Sequence, residues 1–271
     1  MKLTKTLLVG AILAGMAGAA QAETSVTLYG IVDLGLTYQR GKVGTTDSNR
    51  GAYGGDYQSR IGMNDGIQNG SRFGLRGTED LGDGLSAVFT LESGFTANNG
   101  NRSQGDRLFG RQATIGLNSD QWGLLELGRQ TNIASKYFGD IDPFSLDYLN
   151  ANMGMAFSAA NTVRYDNMVM YQTPVWSGFQ GGVGYSFSTD DVEGPTGFKT
   201  KENNRAITAG VRYDNGPLKL ALSYDVQYRK PNQPQPQQFI IGGAYDFEVV
   251  KLSLAYGLSL IHISEPTRLG M

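Results

Sequence analysis

The sequence of 271 residues contains no cysteine and one histidine, His262. Without cysteine, neither disulfide bridges nor thiolate chemistry can hold or operate the fold. With a single imidazole, histidine-built metal sites and Ser–His catalysis have nothing to work with, and no cluster suggests a metal or cofactor. No apolar stretch beyond the N-terminus approaches the about 18 residues that a membrane-crossing helix needs. There is also no basic tract of the kind nucleic acid requires: 23 Lys and Arg face 25 Asp and Glu.

At the N-terminus, Lys2 and Lys5 precede "LLVGAILAGMAGAAQA", and Ala20-Gln21-Ala22 supplies a small-x-small cleavage pattern. That order reads as a secretory signal peptide over 1–22, so export is expected. Removing its two lysines leaves 21 basic against 25 acidic residues, a net charge of −4.

What the chain does have is alternation. From Val26, every second residue is Val26, Leu28, Gly30, Val32, Leu34, Leu36 and Tyr38, against a mostly small or polar complement. The same period of two returns at 218–229, where Leu218, Leu220, Leu222, Tyr224 and Val226 oppose Lys219, Ala221, Ser223, Asp225 and Gln227. It recurs at 250–259, and more weakly at about 71–79, 85–95, 109–118, 124–130, 162–173, 179–188, 204–213 and 238–247. Period-two patterning marks strands with two unlike surroundings, and about eleven are expected. Short turns such as "DLGDG" (80–84), "SDQWG" (119–123), "TPVWSG" (173–178) and "DNGP" (214–217) alternate with long segments at 40–70, 96–108, 131–161, 189–203 and 230–237. This asymmetry suits an up-and-down antiparallel sheet better than a Greek-key sandwich.

On the apolar rows, aromatics fall at strand ends. Tyr38, Phe95, Phe187, Tyr228 and Phe239 lie towards the long loops; Tyr171, Phe179, Tyr213, Tyr245 and Phe247 lie towards the short turns. Two aromatic bands flanking aliphatic residues fit two membrane interfaces, and in hydrocarbon a sheet must close on itself. An all-β, transmembrane antiparallel barrel is therefore expected, with lipid against the apolar rows.

Parity then assigns the water-facing row. It holds Arg72, Arg76 and Arg164, together with Asp33, Glu92, Asp166, Arg212, Lys219, Asp225 and Lys251. Met168 and Met170 share that row without an evident reason. Arg129 falls on the apolar parity, where a mid-depth arginine would cost about 2–4 kcal/mol. A bulge at Gly128 would turn it inward. The glycines of "GGVGYS" are expected to relieve crowding on a curved sheet.

The stretches "VTLYGIVDLGL", "SRFGLRGTEDLGDGLSAVFTLESGF", "RQATIGLNSDQWGLLELGRQ", "GDIDPF" and "VRYDNMVMYQTPVWSGF" together resemble the general porins of Gram-negative outer membranes. The resemblance covers about Glu23 to Ser259. It implies a sixteen-stranded trimeric barrel in the outer membrane, surrounded by lipid and passing ions and small hydrophilic solutes by passive diffusion, with no cofactor. It further implies that the loop at 131–161 folds inward as a constriction. Asp140, Asp142 and Asp147 would then face a basic wall of Arg72, Arg76, Arg129 and Arg164, the "LGRQ" position matching a basic wall residue of the family. The sequence departs from the family after Leu258. "LIHISEPTRLGM" carries Pro266 and lacks the family's terminal aromatic strand, so 23–259 reads as a partial barrel and 260–271 as a non-native tail resembling translated adaptor DNA. An outer-membrane barrel enzyme and an exported glycan-binding sandwich are the alternatives, the first wanting an activated serine and the second solubility without detergent.

Overall fold

The computed structural model describes residues 25–42, 57–148, 151–190, 203–229 and 233–260. The expected signal peptide and all but the first residue of the expected tail lie outside these ranges. In chain order the elements are β1 (Ser25–Ile31), β2 (Leu34–Lys42), β3 (Tyr57–Asp65), β4 (Arg72–Gly82), β5 (Leu85–Gly94), β6 (Gln112–Ser119), β7 (Gly123–Thr131), α1 (Ile133–Phe138), β8 (Arg164–Gln172), β9 (Phe179–Ser186), β10 (Arg205–Asn215), β11 (Leu218–Tyr228), β12 (Gln237–Asp246) and β13 (Lys251–Leu260). β1 and β4 to β13 form one eleven-stranded sheet in sequence order, every neighbouring pair antiparallel. No helix among the described residues is long and apolar enough to cross a membrane.

Burial runs opposite to that of a water-soluble sheet. On β11, Leu220 and Leu222 are 45% and 39% exposed, while Ala221 and Ser223 between them are 3% and 0% exposed. On β13, Leu252, Leu254, Tyr256 and Leu258 are all exposed. Among the described residues no second layer covers the apolar rows, and a face this large and greasy belongs against lipid. At the short-turn ends the rings of Phe179 and Tyr213, and of Tyr245 and Phe247, lie with centroids 4.5 Å apart. At the opposite ends Tyr185 pairs with Phe187 and Phe73 with Phe95.

The first strand departs from expectation. It breaks after Ile31, and its second half, β2, forms a separate two-stranded ribbon with β3, a strand inside what reads as the 40–70 loop. The break is built on Asp33, whose Oδ2 accepts the amide N–H groups of Gln68 (2.7 Å) and Asn69 (2.6 Å) while its carbonyl accepts that of Gly66. Asp33 is thus bound into a chain bend, because a short acceptor is what two loose backbone donors need. Tyr38 lies on this ribbon and not among the girdle rings of the main sheet.

The segment between β7 and β8 runs along the inner face of the sheet. α1 packs against β9, β10 and β11, forming a core of Ile133, Tyr137, Phe138, Met168, Met170 and Ile240. Further on, the amide of Tyr148 donates to the carbonyl of Gln68 beside β4, while Lys251 of β13 donates to the carbonyl of Asp140 (2.7 Å). One loop reaching both the first strands and the last is possible only if the sheet curls around it.

Candidate functional site: a charged throat around the inward loop

The loop has a prepared seat. A Cβ on Gly182 would stand 2.5 Å from Ile133 Cδ1 and 2.6 Å from the Tyr137 hydroxyl, and one on Gly210 would stand 2.8 Å from Ile133 Cγ2. Gly182 of "GGVGYS", with Gly210, therefore makes room for α1, a more specific task than relieving curvature. Met168 and Met170, unexplained by parity, are fully buried in the same cluster as the apolar residues of α1. Asp225 is buried there too, its Oδ1 accepting from Asn132 Nδ2 at 2.7 Å, so it does not stand in an open vestibule.

On β4 to β8 the inward row carries long charged side chains. Glu92 accepts from Arg111 Nε (2.5 Å) and from the Tyr29 hydroxyl (2.9 Å), with the Arg76 guanidinium 5.5 Å from the centre of the Tyr29 ring. Arg129 does turn inward through a bulge: the register of β7 and β8 shifts between Gly128 and Gln130, and Gly128 has φ +125°. The guanidinium of Arg129 meets Asp166 Oδ1 at 2.5 Å and the Gly110 carbonyl at 2.7 Å, and Arg107 holds the same carboxylate at 2.6 Å. Across the bulge, Asn167 takes φ +48°, so Tyr165 faces the loop core and Arg164 donates to the carbonyls of Arg111 and Thr162. Arg72 donates to Asn69 Oδ1 at 3.2 Å.

The three loop aspartates stand in three different places. Asp147 is closest to the arginines; burial raises its carboxyl above the usual range, and the charges of Arg72, Arg111 and Arg164 oppose that rise. Asp140 lies across the lumen, 3.6 Å from Lys219 Nζ, and Lys219 also pairs with Asp214. Asp142 is buried in the loop itself, accepting the amides of Leu146 (2.7 Å) and Met153 (3.4 Å). Arg212 donates to Gln180 and lies 5.3 Å from the centre of the Tyr137 ring.

Four charged residues of this region escaped sequence reasoning. Arg107 lies in a loop, where parity is silent. Arg111 precedes β6 on the apolar parity, and, as with Arg129, a charge on the greasy row at a strand end is the available signal. Glu126 sits on the inward row between Leu125 and Leu127, where parity alone is the available signal, with Lys136 of α1 at 3.7 Å.

Residues 9–263 match the family profile described as Gram-negative porin. An outer membrane porin protein of Bordetella pertussis is 61% identical, the match covering 93% of this chain and 68% of that protein. Outer membrane porin protein 32 of Delftia acidovorans is 36% identical over 92% of this chain and 68% of its own length. Among solved structures, the anion-selective porin from Comamonas acidovorans superposes with a TM-score of 0.71 at 31% identity, covering 88% of this chain and 69% of that one. The chain thus spans about two thirds of the length of these relatives. An inside-out antiparallel sheet curled around a charged loop, together with a family match over nearly the whole chain, leads to one assignment: the chain belongs to the Gram-negative porins, outer-membrane channels for passive diffusion.

Proposed function

We propose that the full-length protein is a homotrimeric channel in which the loop at 131–161 narrows the lumen and the arginine wall sorts solutes by charge, favouring anions, with no bond made or broken. Residues 23–259 supply the barrel wall in this reading. The observation that carries it is the charge at the throat: the guanidinium groups of Arg72, Arg76, Arg107, Arg111, Arg129 and Arg164 face the carboxylates of Glu92, Asp166 and Asp147. Six cations against three anions leave a positive field in a water-filled constriction with low-dielectric walls, which raises the local concentration of anions. The similarity to a protein described as an anion-selective porin supports the same sign. Asp147 fits the acidic side of the constriction, Asp140 a lysine-lined vestibule with Lys219, Arg212 and Lys251, and Asp142 the stiffening of the loop.

Reconstitution of the full-length protein in a planar bilayer under a salt gradient tests this reading. Stepwise conductance with a zero-current potential of the sign set by chloride is expected, shrinking as ionic strength rises. A sealed bilayer would sink the channel, and a potential set by the cation would sink the arginine filter. Native gel mobility and chemical cross-linking check the trimer.

A further inference from the structure

We infer that Asn132 is the positioning residue that fixes the width of the throat, by tying both ends of the inward loop to a single buried carboxylate of the wall, Asp225. Asn132 is completely buried, and its side-chain amide is fully used. Nδ2 donates to Asp225 Oδ1 at 2.7 Å and to the carbonyl of Ala159 at 2.8 Å, while Oδ1 accepts the amide of Ser135 and so caps α1. Its backbone N–H donates to the carbonyl of Val163. The start of the loop, its end and β11 therefore meet at one side chain.

The neighbouring contacts point the same way. The amide of Ile133 donates to Thr208 Oγ1 at 2.9 Å, and Thr208 is the register partner of Asp225 across β10 and β11. The amide of Ala159 donates to Gln238 Oε1 of β12 at 2.6 Å. Asp225 makes no ion pair among the described residues; Tyr165 of β8 and Arg229, one residue beyond β11, are the other titratable and charged groups that line its cavity. With no cation to neutralise it, this carboxylate depends on its two hydrogen-bond donors, the Asn132 amide and the Thr208 hydroxyl, because an unpaired charge in a dry site is costly. An amide suits the position because it alone supplies two donors for Asp225 and Ala159 and an acceptor for Ser135.

This inference rests on the channel reading above, and the two fail separately. If the wild-type full-length protein does not conduct, the channel reading falls; if it conducts, the variants judge the pin. N132D sets two carboxylates against each other. At alkaline pH, where both are ionised, its single-channel conductance is expected to rise by about 1.5-fold with added current noise, as the loop lifts from the wall. On acidification the two groups share a proton and the conductance returns to the wild-type level. The exchanged pair N132D/D225N restores one donor to one acceptor and should lose this pH response. Wild-type conductance in N132D at alkaline pH, or a pH response that survives the exchange, overturns the assignment. Heat-modified gel mobility reports folding. Should N132D not fold, T208V and G182A take its place: both should raise conductance, and unchanged conductance in both overturns the pin.

Discussion

The two halves of the curled sheet obey the same period of two and do opposite things with it. On β4 to β8 the inward row carries the guanidinium and carboxylate groups, with Met168 and Met170 of β8 already beneath the loop; on β9 to β12 it is largely Gly182, Gly184, Ala206, Thr208, Gly210, Ala221, Ser223, Gly242 and Ala244, and the loop lies on it. Long charged side chains keep a wall in water, whereas small ones let another segment close upon it. The difference between a filter and a seat is therefore one of side-chain length on an otherwise equivalent row.

The most damaging test of this division acts on the outer face that both halves share. Leu222→Arg places a charge in hydrocarbon at a cost of about 2–4 kcal/mol, and the folded, heat-modifiable fraction in vesicles should fall sharply. From parity alone the adjacent Ser223→Arg reads as harmless. Because Ser223 is fully buried under the loop, it is instead expected to retain the barrel but displace α1, seen as altered conductance with ordinary assembly. Equal failure of both to assemble would erase the distinction between lipid face and seat.

A smaller effect is expected at the bulge that serves the filter half. Gly128 sits at φ +125°, and a Cβ there would run into the carbonyl of Ala113. Gly128→Ala should cost about 1–3 kcal/mol in urea unfolding and detach Arg129 from Asp166. An unchanged midpoint would mean that the bulge is not what directs Arg129.

Within the filter, Arg72→Gln and Arg164→Gln should leave stability nearly unchanged and lower the anion-to-cation permeability ratio by about twofold each, read from zero-current potentials. The same substitutions would be silent if selectivity resided in the lysine-lined vestibule of the other half.

The smallest expected effect follows from Asp147. Burial raises its carboxyl, so on acidification it takes up a proton before unperturbed carboxylates do. The throat then becomes more positive, and anion preference should rise slightly as the pH falls through that raised value. The sign for stability is parallel: folding disfavours its charged form, so the contribution is complete at low pH and is lost as the pH rises through the raised value. Asp147→Asn should abolish the pH step in permeability ratio and hold it at the acidic level.

Sequence patterning located all eleven strands of the main sheet, the face each turns outward, and the inward bulge at Arg129. Periodicity made these legible, because a strand with lipid on one side and water or protein on the other has no other way to arrange its side chains. It did not reveal that β1 and β2 part at Asp33, since the hydrogen bonds that bend the chain come from residues more than thirty positions away. Nor could it separate Asp140, Asp142 and Asp147, which look alike along the chain and differ only in what the folded loop brings to each. The sequence by itself determined which row of every strand meets hydrocarbon, since that is a local alternation enforced by solvation. Only the tertiary structure decided which inward residues line water and which lie beneath the loop, because that depends on where one long segment comes to rest, and small residues spread over β9 to β12 become a seat only when the sheet curls.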